Sequence, residues 1–301
     1  MLGSAFSAKS YLSPTVQIHL YRIYICPIAR SGLAAMTLRD KNIQPLTAFH
    51  RKIIRGFLRL SDRSPIPSLY FLTGELPIEA KLHRDIFSLF FSIWSNPNTK
   101  IYELVRYLLE NSNKNSHTWS RHIRNLAQKY NIEDPLIAIQ RNPPTKHEYS
   151  QYILTKITIF HENQLRIASS TNSKMKYLNV NVKGLNGRPH PALQGVTLNK
   201  SVQKMRSHIK MLCNDLYTFE IKSKYQGGSP VCRLCSGDNN EKTYNENITH
   251  LLTQCKVYTG LRTRILHQME IVCASAKTKI PFKHLLSKDD LLCQFILDCT
   301  S

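Results

Sequence analysis

"VCRLCSGDNNEKTYNENITHLLTQC", residues 231–255, holds three of the chain's eight cysteines and one of its twelve histidines. Cys232, Cys235, His250 and Cys255 fall in the pattern C-x2-C-x14-H-x4-C. Two cysteines at this spacing face one ion from a tight turn, and zinc takes four such sulfur and nitrogen ligands at tetrahedral angles. Ser236, Gly237 and Asp238 supply the exit from that turn, and the polar, acid-containing stretch after them suits an exposed loop. The second pair is harder to seat. Five residues on a regular helix turn through about 500°, so a local distortion is needed to aim His250 and Cys255 at one point. With all four positions filled by protein the site is closed, hence structural and not catalytic. The cofactor expected is Zn2+, whose binding would contribute on the order of 10 kcal/mol to a module with little core of its own. The competing reading is four buried or idle residues that happen to share this spacing.

The remaining cysteines, Cys26, Cys213, Cys273, Cys293 and Cys299, stand singly in apolar surroundings, where a free thiol behaves as a small hydrophobe. Scattered thiols in a chain of 301 residues do not make a secreted disulfide framework. The N-terminal "MLGSAFSAKSYLSP" lacks the apolar run of a signal peptide. The longest apolar run, "IFSLFFSIW", is too short to span a bilayer. These features point to an intracellular, reduced protein with no membrane segment.

At 42% hydrophobic residues the chain can bury a core, and the pattern is mainly α. Ser13-Pro14 reads as an N-cap with proline at the first helical position, followed by Val16, Leu20, Ile23, Tyr24 and Pro27 on one face. In "LTAFHRKIIRGFLRL", Phe49, Ile53, Ile54, Phe57 and Leu58 form an apolar stripe. Arg51, Arg55 and Arg59, with Lys52 beside them, line another face that no acid between Asp40 and Asp62 compensates. A helix stop at "TGELP" precedes a helix carrying "IFSLFFSIW", the expected buried centre. Short helices at 118–130 and 133–140 and a longer one to about Ile167 follow. A helix from Ile248 through Val272 and a last one at "KDDLLCQFILDC" complete the pattern.

Charge is the strongest compositional signal: 41 Lys and Arg stand against 20 Asp and Glu, a net charge of +21. The excess is clustered. Residues 163–214 contain no acid, while Lys174, Lys176, Lys183, Arg188, Lys200, Lys204, Arg206 and Lys210 all carry positive charge. Such clustering is the footprint of a polyanion, and RNA or DNA is the expected partner. Tyr177 and His190 are the expected stacking or phosphate-contacting neighbours. Docking onto an acidic protein or membrane surface is the alternative.

"CRLC…ENITHLLTQCKVYTGLRTRIL" resembles the C-terminal CCHC zinc knuckle of non-LTR (LINE-type) retrotransposon reverse transcriptases. The matching residues are Cys232, Cys235, Glu246, His250, Cys255, Tyr258 and Arg262. "LSPTVQIHLYRIYICPIARSGL", "LTAFHRKIIRGFLRL" and "SLYFLTGELPIEAKLHRDIFSLF" are similar to that family's thumb, and "KYLNV…HPALQG" to its linker. The resemblance implies a thumb-like helical domain over 1–112, a basic linker over 113–215, a knuckle module over 216–275 and a tail helix over 276–301. It also implies that Arg51, Lys52, Arg55 and Arg59, the linker cations, and Arg262 and Arg264 grip nucleic acid, with other retrotransposon proteins as further partners. Where the family often has an aromatic before the glycine and an acid after it, this chain reads Ser31-Gly32-Leu33-Ala34. The family's palm carboxylates, an aromatic-x-Asp-Asp turn, find no counterpart: the only Asp-Asp, Asp289-Asp290, reads as a helix N-terminus. The expectation is a nucleic-acid-binding piece without its own catalysis. Alternatives are one part of an active polymerase polyprotein, a zinc-stapled protein-interaction module, or a copy with no cellular role.

Overall fold

Ser13 opens the first helix as expected, its Oγ accepting the N–H of Val16 at 3.4 Å. From there helices follow one another in a computed structural model that describes residues 12–38, 40–111, 118–180, 185, 187–194, 199–235, 244–275 and 288–298. The chain is mainly α. Among the described residues the only strand-like pairing is one isolated antiparallel bridge between Val231 and Asn245, and no helix is long and apolar enough to cross a membrane. Cys299 lies outside the described residues.

The chain divides into two compact units, each discontinuous in sequence. Unit 1 comprises residues 1–57, 69–168 and 183–190, and unit 2 residues 58–68, 169–182 and 191–301. The partition therefore joins the segment expected as a thumb-like bundle to the first half of the expected linker.

Unit 1 begins with α1 (Pro14–Leu20), a π-helical turn (Tyr21–Ile25) and α2 (Cys26–Arg30). The expected apolar face does not point inward: Val16, Ile23 and Tyr24 are exposed, while Ile18, Tyr21 and Cys26 are buried. Ile18 and Tyr21 set the buried face from within the first helix onward, leaving Val16 outside it; Ile23 and Tyr24 fall in the widened turn, which takes side chains off a 3.6-residue register. Next comes α3 (Asp40–Leu58), where Ile54, Phe57 and Leu58 are buried but Phe49 is exposed. α4 (Ile66–Thr73) leads through Gly74 to α5 (Ile78–Trp94). On α5, Ile78, Leu82, Ile86 and Phe90 recur every fourth residue and are buried, with Phe87, Phe91 and Trp94 beside them. This is the buried centre that the "IFSLFFSIW" run predicted. α6 (Lys100–Glu110), α7 (Trp119–Tyr130), α8 (Pro135–Ala138) and α9 (Lys146–Ser170) follow. Phe91 stacks on Tyr149 of α9, ring centroids 4.9 Å apart.

Several polar groups buried in unit 1 are paired. The Glu75 carboxylate sits between the Arg22 guanidinium and the Lys81 ammonium. Tyr21 and His50 share a 2.6 Å hydrogen bond, and Tyr130 bridges His83 and His161 at 2.6 and 3.0 Å. A late segment completes the unit. The N–H groups of Gly187 and His190 donate to the carbonyls of Gly74 and Leu72 at 2.9 and 2.8 Å. Those carbonyls are the orphan acceptors of a helix C-terminus.

Unit 2 is built on α10 (Asn199–Leu212), whose Val202, Met205, Ile209 and Leu212 are buried. α11 (Phe219–Gln226), α12 (Thr259–Ser275) and α13 (Asp289–Leu297) complete it. α13 buries Leu292, Cys293 and Leu297. The single helix expected from Ile248 to Val272 is interrupted: Cys255 is extended (φ −62°, ψ 122°), between a π-turn before it and α12 after it. Cys26, Cys213, Cys273 and Cys293 are all buried free thiols, and burial pushes Cys213 up to about 12.

Two consequences for stability follow. Burial pushes His50 and His83 down to about 3 and His161 to about 4. The unfolded chain therefore binds protons that the folded unit refuses, so the contribution is full above about pH 6.5 and is lost as pH falls toward 4. Chemical unfolding followed by circular dichroism should lose up to about 1.4 kcal/mol per pH unit for each histidine in that window. Gly74→Ala should also destabilise, by about 2 kcal/mol or more. The backbone there has φ +65°, and an added Cβ would come within 2.2 Å of the Arg188 carbonyl oxygen.

Candidate metal centre

The four residues singled out in 231–255 converge. One ligand atom from each of Cys232, Cys235, His250 and Cys255 lies within 4.8 Å of all the others, and Cys235 Sγ is 3.2 Å from His250 Nε2. A tetrahedral zinc with Zn–S near 2.3 Å spaces its ligand atoms about 3.5–3.8 Å apart, so small side-chain shifts, with the Cys235–His250 pair opening slightly, seat an ion. Cys232, Cys255 and His250 are buried, and Cys235 is half-buried.

Local structure explains the convergence. Residues 230–232 run antiparallel to 244–246: the Cys232 N–H donates to the Tyr244 carbonyl at 2.9 Å and the Glu246 N–H to that of Pro230 at 2.8 Å. This pairing brings the first two thiols to the start of the second pair's segment. His250–Gln254 is a π-turn, closed by the Cys255 N–H donating to the His250 carbonyl at 2.7 Å. An i→i+5 bond returns the chain to nearly the same face after five residues, which supplies the distortion that the spacing demanded. Asn247 Oδ1 accepts the His250 N–H at 2.8 Å, and Tyr244 stacks on the imidazole with centroids 5.3 Å apart.

The electrostatics favour a cation. Burial, then the neighbouring thiols of Cys232 and Cys255, push the Cys235 thiol up to about 11. Burial lowers His250, keeping the imidazole neutral and able to ligate. A divalent ion at the centre removes the cost of ionising crowded thiols. Three thiolates and one imidazole form a closed donor set that can hold a metal ion.

The centre is tied to the rest of unit 2. A Glu246 carboxylate oxygen accepts the Phe219 N–H at 3.2 Å, at the start of α11. Thr249 shares a 2.7 Å hydrogen bond with Tyr177, and its hydroxyl donates to Asp290 at 3.2 Å. The Gln254 amide donates to Asp289 at 2.6 Å. Asp289-Asp290 thus occupies the first turn of α13, as expected, and clamps the π-turn.

The expected nucleic-acid residues are dispersed by this architecture. α3 ends at Leu58 and Arg59 turns left-handed (φ +51°), so the Arg51–Arg55–Arg59 row is broken at its last member. Arg51 and Arg55 are half-buried and Lys52 is exposed in unit 1. Arg188 is exposed there too. Lys204 is exposed in unit 2, whereas Arg206 is buried, and burial followed by the nearby Arg59 lowers its pKa. Lys176 pairs with Asp290 at 2.8 Å. Arg262 spends its guanidinium on the carbonyls of Leu252 and Cys255 at 2.9 and 2.6 Å, as a clip on the metal turn. Arg264 is exposed on α12. Lys183 and the side chain of Lys200 lie outside the described residues. Tyr177 and His190 are buried, at 1% and 3% exposure, and cannot stack on a ligand. Tyr177 serves the fold through Thr249, and the His190 backbone closes α4.

What the structure does bring together is Arg59, Lys174, Lys176 and Lys210, in a cleft of about 840 Å³ within unit 2. Arg63, Lys224, Tyr217 and Tyr225 share it, and the sequence reading passed over all four. The signal was present in "DLYTFEIKSKYQ", where aromatic and basic residues alternate. A search confined to acid-free sequence stops at Asn214, just before it.

Removing the metal tests the centre. One divalent ion per chain should bind, and Co2+ in its place should give thiolate charge-transfer absorption, which Cys255→Ser weakens. Chelation should lower the thermal midpoint of unit 2, read by scanning calorimetry, because the π-turn loses its anchor.

Set against known proteins, the chain stands on this geometry alone: no family model, no curated protein and no solved structure matches it.

Proposed function

We propose that this chain is a nucleic-acid-binding protein that grips the phosphate backbone of RNA or DNA, its second unit stapled by a structural Zn2+. The observation that carries the reading is the cleft of unit 2, where cations from four separate segments converge: Arg59 and Arg63, Lys174 and Lys176, Lys210, and Lys224. Six cationic side chains line it against three acids, and ion pairs take up two of the cations, Lys176 with Asp290 and Lys224 with Glu220. Asp215 takes the Ser61 N–H at 2.7 Å, and Glu220 pairs with Lys224 at 2.7 Å. Like charges gathered at one surface raise its potential, and a polyanion gains by releasing the counterions it would otherwise keep.

Zinc follows from the donor set, since three thiolates and an imidazole suit that ion over oxygen-seeking Mg2+ or Ca2+. The resemblance to the thumb, linker and zinc knuckle of LINE-type reverse transcriptases agrees with this reading and assigns the chain a gripping role, with catalysis supplied by palm carboxylates that the sequence does not contain. Association with other retrotransposon proteins belongs to the same proposal.

Fluorescence anisotropy with labelled RNA and DNA across a salt series tests it. Affinity should fall steeply and linearly in log–log form. Lys210→Glu should weaken binding to all sequences alike and reduce the salt slope by about 1. Folded, metal-loaded protein that ignores both polymers at low salt would sink the proposal.

A further inference from the structure

The cleft of unit 2 contains more than charge. Tyr217 and Tyr225 line it and remain 57% and 56% exposed, while Tyr177 beneath them is 1% exposed. Exposed tyrosines scattered singly over a surface need no explanation. Two at one cleft, among cations, do.

Their placement is built by the backbone. Asn214 ends α10 in the left-handed region, φ +48°, a conformation that asparagine tolerates. The Asp215 N–H closes back onto the Lys210 carbonyl at 2.7 Å. The Asp215 carboxylate is fastened to Ser61. Tyr217 therefore leaves a pinned turn immediately before α11, and Tyr225 stands in the last turn of that helix. Arg63 lies over the Tyr225 ring, 3.8 Å from its centroid. Since that guanidinium covers one face, the exposed area of Tyr225 belongs to the other face and the rim. Lys174 is held in place by donating to the Arg63 carbonyl at 3.1 Å.

We infer that this cleft is a subsite for unpaired nucleotides, with bases stacking on Tyr217 and Tyr225 and phosphates held by Arg59, Arg63, Lys174 and Lys210. The inference rests on the nucleic-acid reading above and narrows it to single-stranded or locally unpaired strands. The discrimination is geometric. A duplex keeps its base faces stacked inside and offers only phosphates, which lysines and arginines hold without help from an aromatic ring. An unpaired base supplies a π-face to a tyrosine, and arginine stacked behind that ring strengthens the platform. The cleft's size, about 840 Å³, falls in the range of pockets that enclose small organic groups, roughly 300–1,000 Å³, not a double helix.

The test uses the full, metal-loaded chain with a fluorescein-labelled oligothymidylate and a duplex of equal length. Tyr217→Ala and Tyr225→Ala should each weaken the single strand by about 5- to 150-fold and leave duplex affinity and metal content unchanged. Tyr217→Phe and Tyr225→Phe should retain single-strand binding, because stacking needs the ring and not the hydroxyl. A bromodeoxyuridine-substituted strand should photo-crosslink to the peptide spanning 217–226. Equal affinity for both probes, unmoved by the alanine variants, would overturn the subsite while leaving phosphate binding intact. Failure of both probes to bind would overturn the phosphate grip and the subsite together.

Discussion

The separation of five residues between His250 and Cys255 is the constraint on which unit 2 is organised. An α-helix cannot present both to one ion, and an extended chain would carry them too far apart. The chain resolves this by a single i→i+5 bond, from the Cys255 N–H to the His250 carbonyl. Every neighbouring contact is then referred to that turn. Thr249 before it reaches Tyr177 and Asp290, Gln254 within it reaches Asp289, and Arg262 after it fastens two of its carbonyls. Polar ties and the metal-ready donors fix this turn beside the buried Ile248, Tyr177 and Leu292.

Unit 1 solves the opposite problem. It has apolar helices in abundance and must accommodate the polar groups that they enclose. Glu75 is buried between two cations, and three histidines are kept neutral by burial, two of them through one tyrosine hydroxyl. Such arrangements are costly to break from one side, since deleting Lys81 or Arg22 leaves a buried carboxylate under-compensated. They define which helices meet more than they add to net stability.

Sequence patterns carried some of this and not the rest, for identifiable reasons. The four Cys and His residues that converge were readable because ligand chemistry restricts residue type and spacing at once. The "IFSLFFSIW" helix was readable because apolar residues around most of its circumference leave no choice of face. The first helix was not. Val16, Ile23 and Tyr24 form a convincing stripe, yet the face that is buried is that of Ile18 and Tyr21, and Ile23 and Tyr24 fall in a π-turn whose i→i+5 bond nothing in the local composition announces. The cations posed a different difficulty. Charge counted along a sequence does not say which side chains share a surface. Arg262 was drawn into holding backbone, Arg206 was buried, and Arg63 and Lys224 were overlooked because acids stand beside them in the chain. Tyr177 and His190 were misread for the same reason: their roles come from contacts far away in sequence.

The segment that closes α4 has a consequence for how the chain is made. The carbonyls of Leu72 and Gly74 receive their partners from residues 187–190, and a guanidinium from α1's end of the chain also reaches Gly187. At ribosomal speeds of about 5–20 residues per second, that is on the order of ten seconds between the synthesis of acceptor and donor. During that interval the remaining apolar helices of the first unit, from Ile78 to Ser170, are made before the segment that closes it. A nascent chain of this sequence therefore passes through a long stage in which collapse precedes closure. Dividing the protein at any point between residues 74 and 187 leaves neither fragment alone with both halves of this closure.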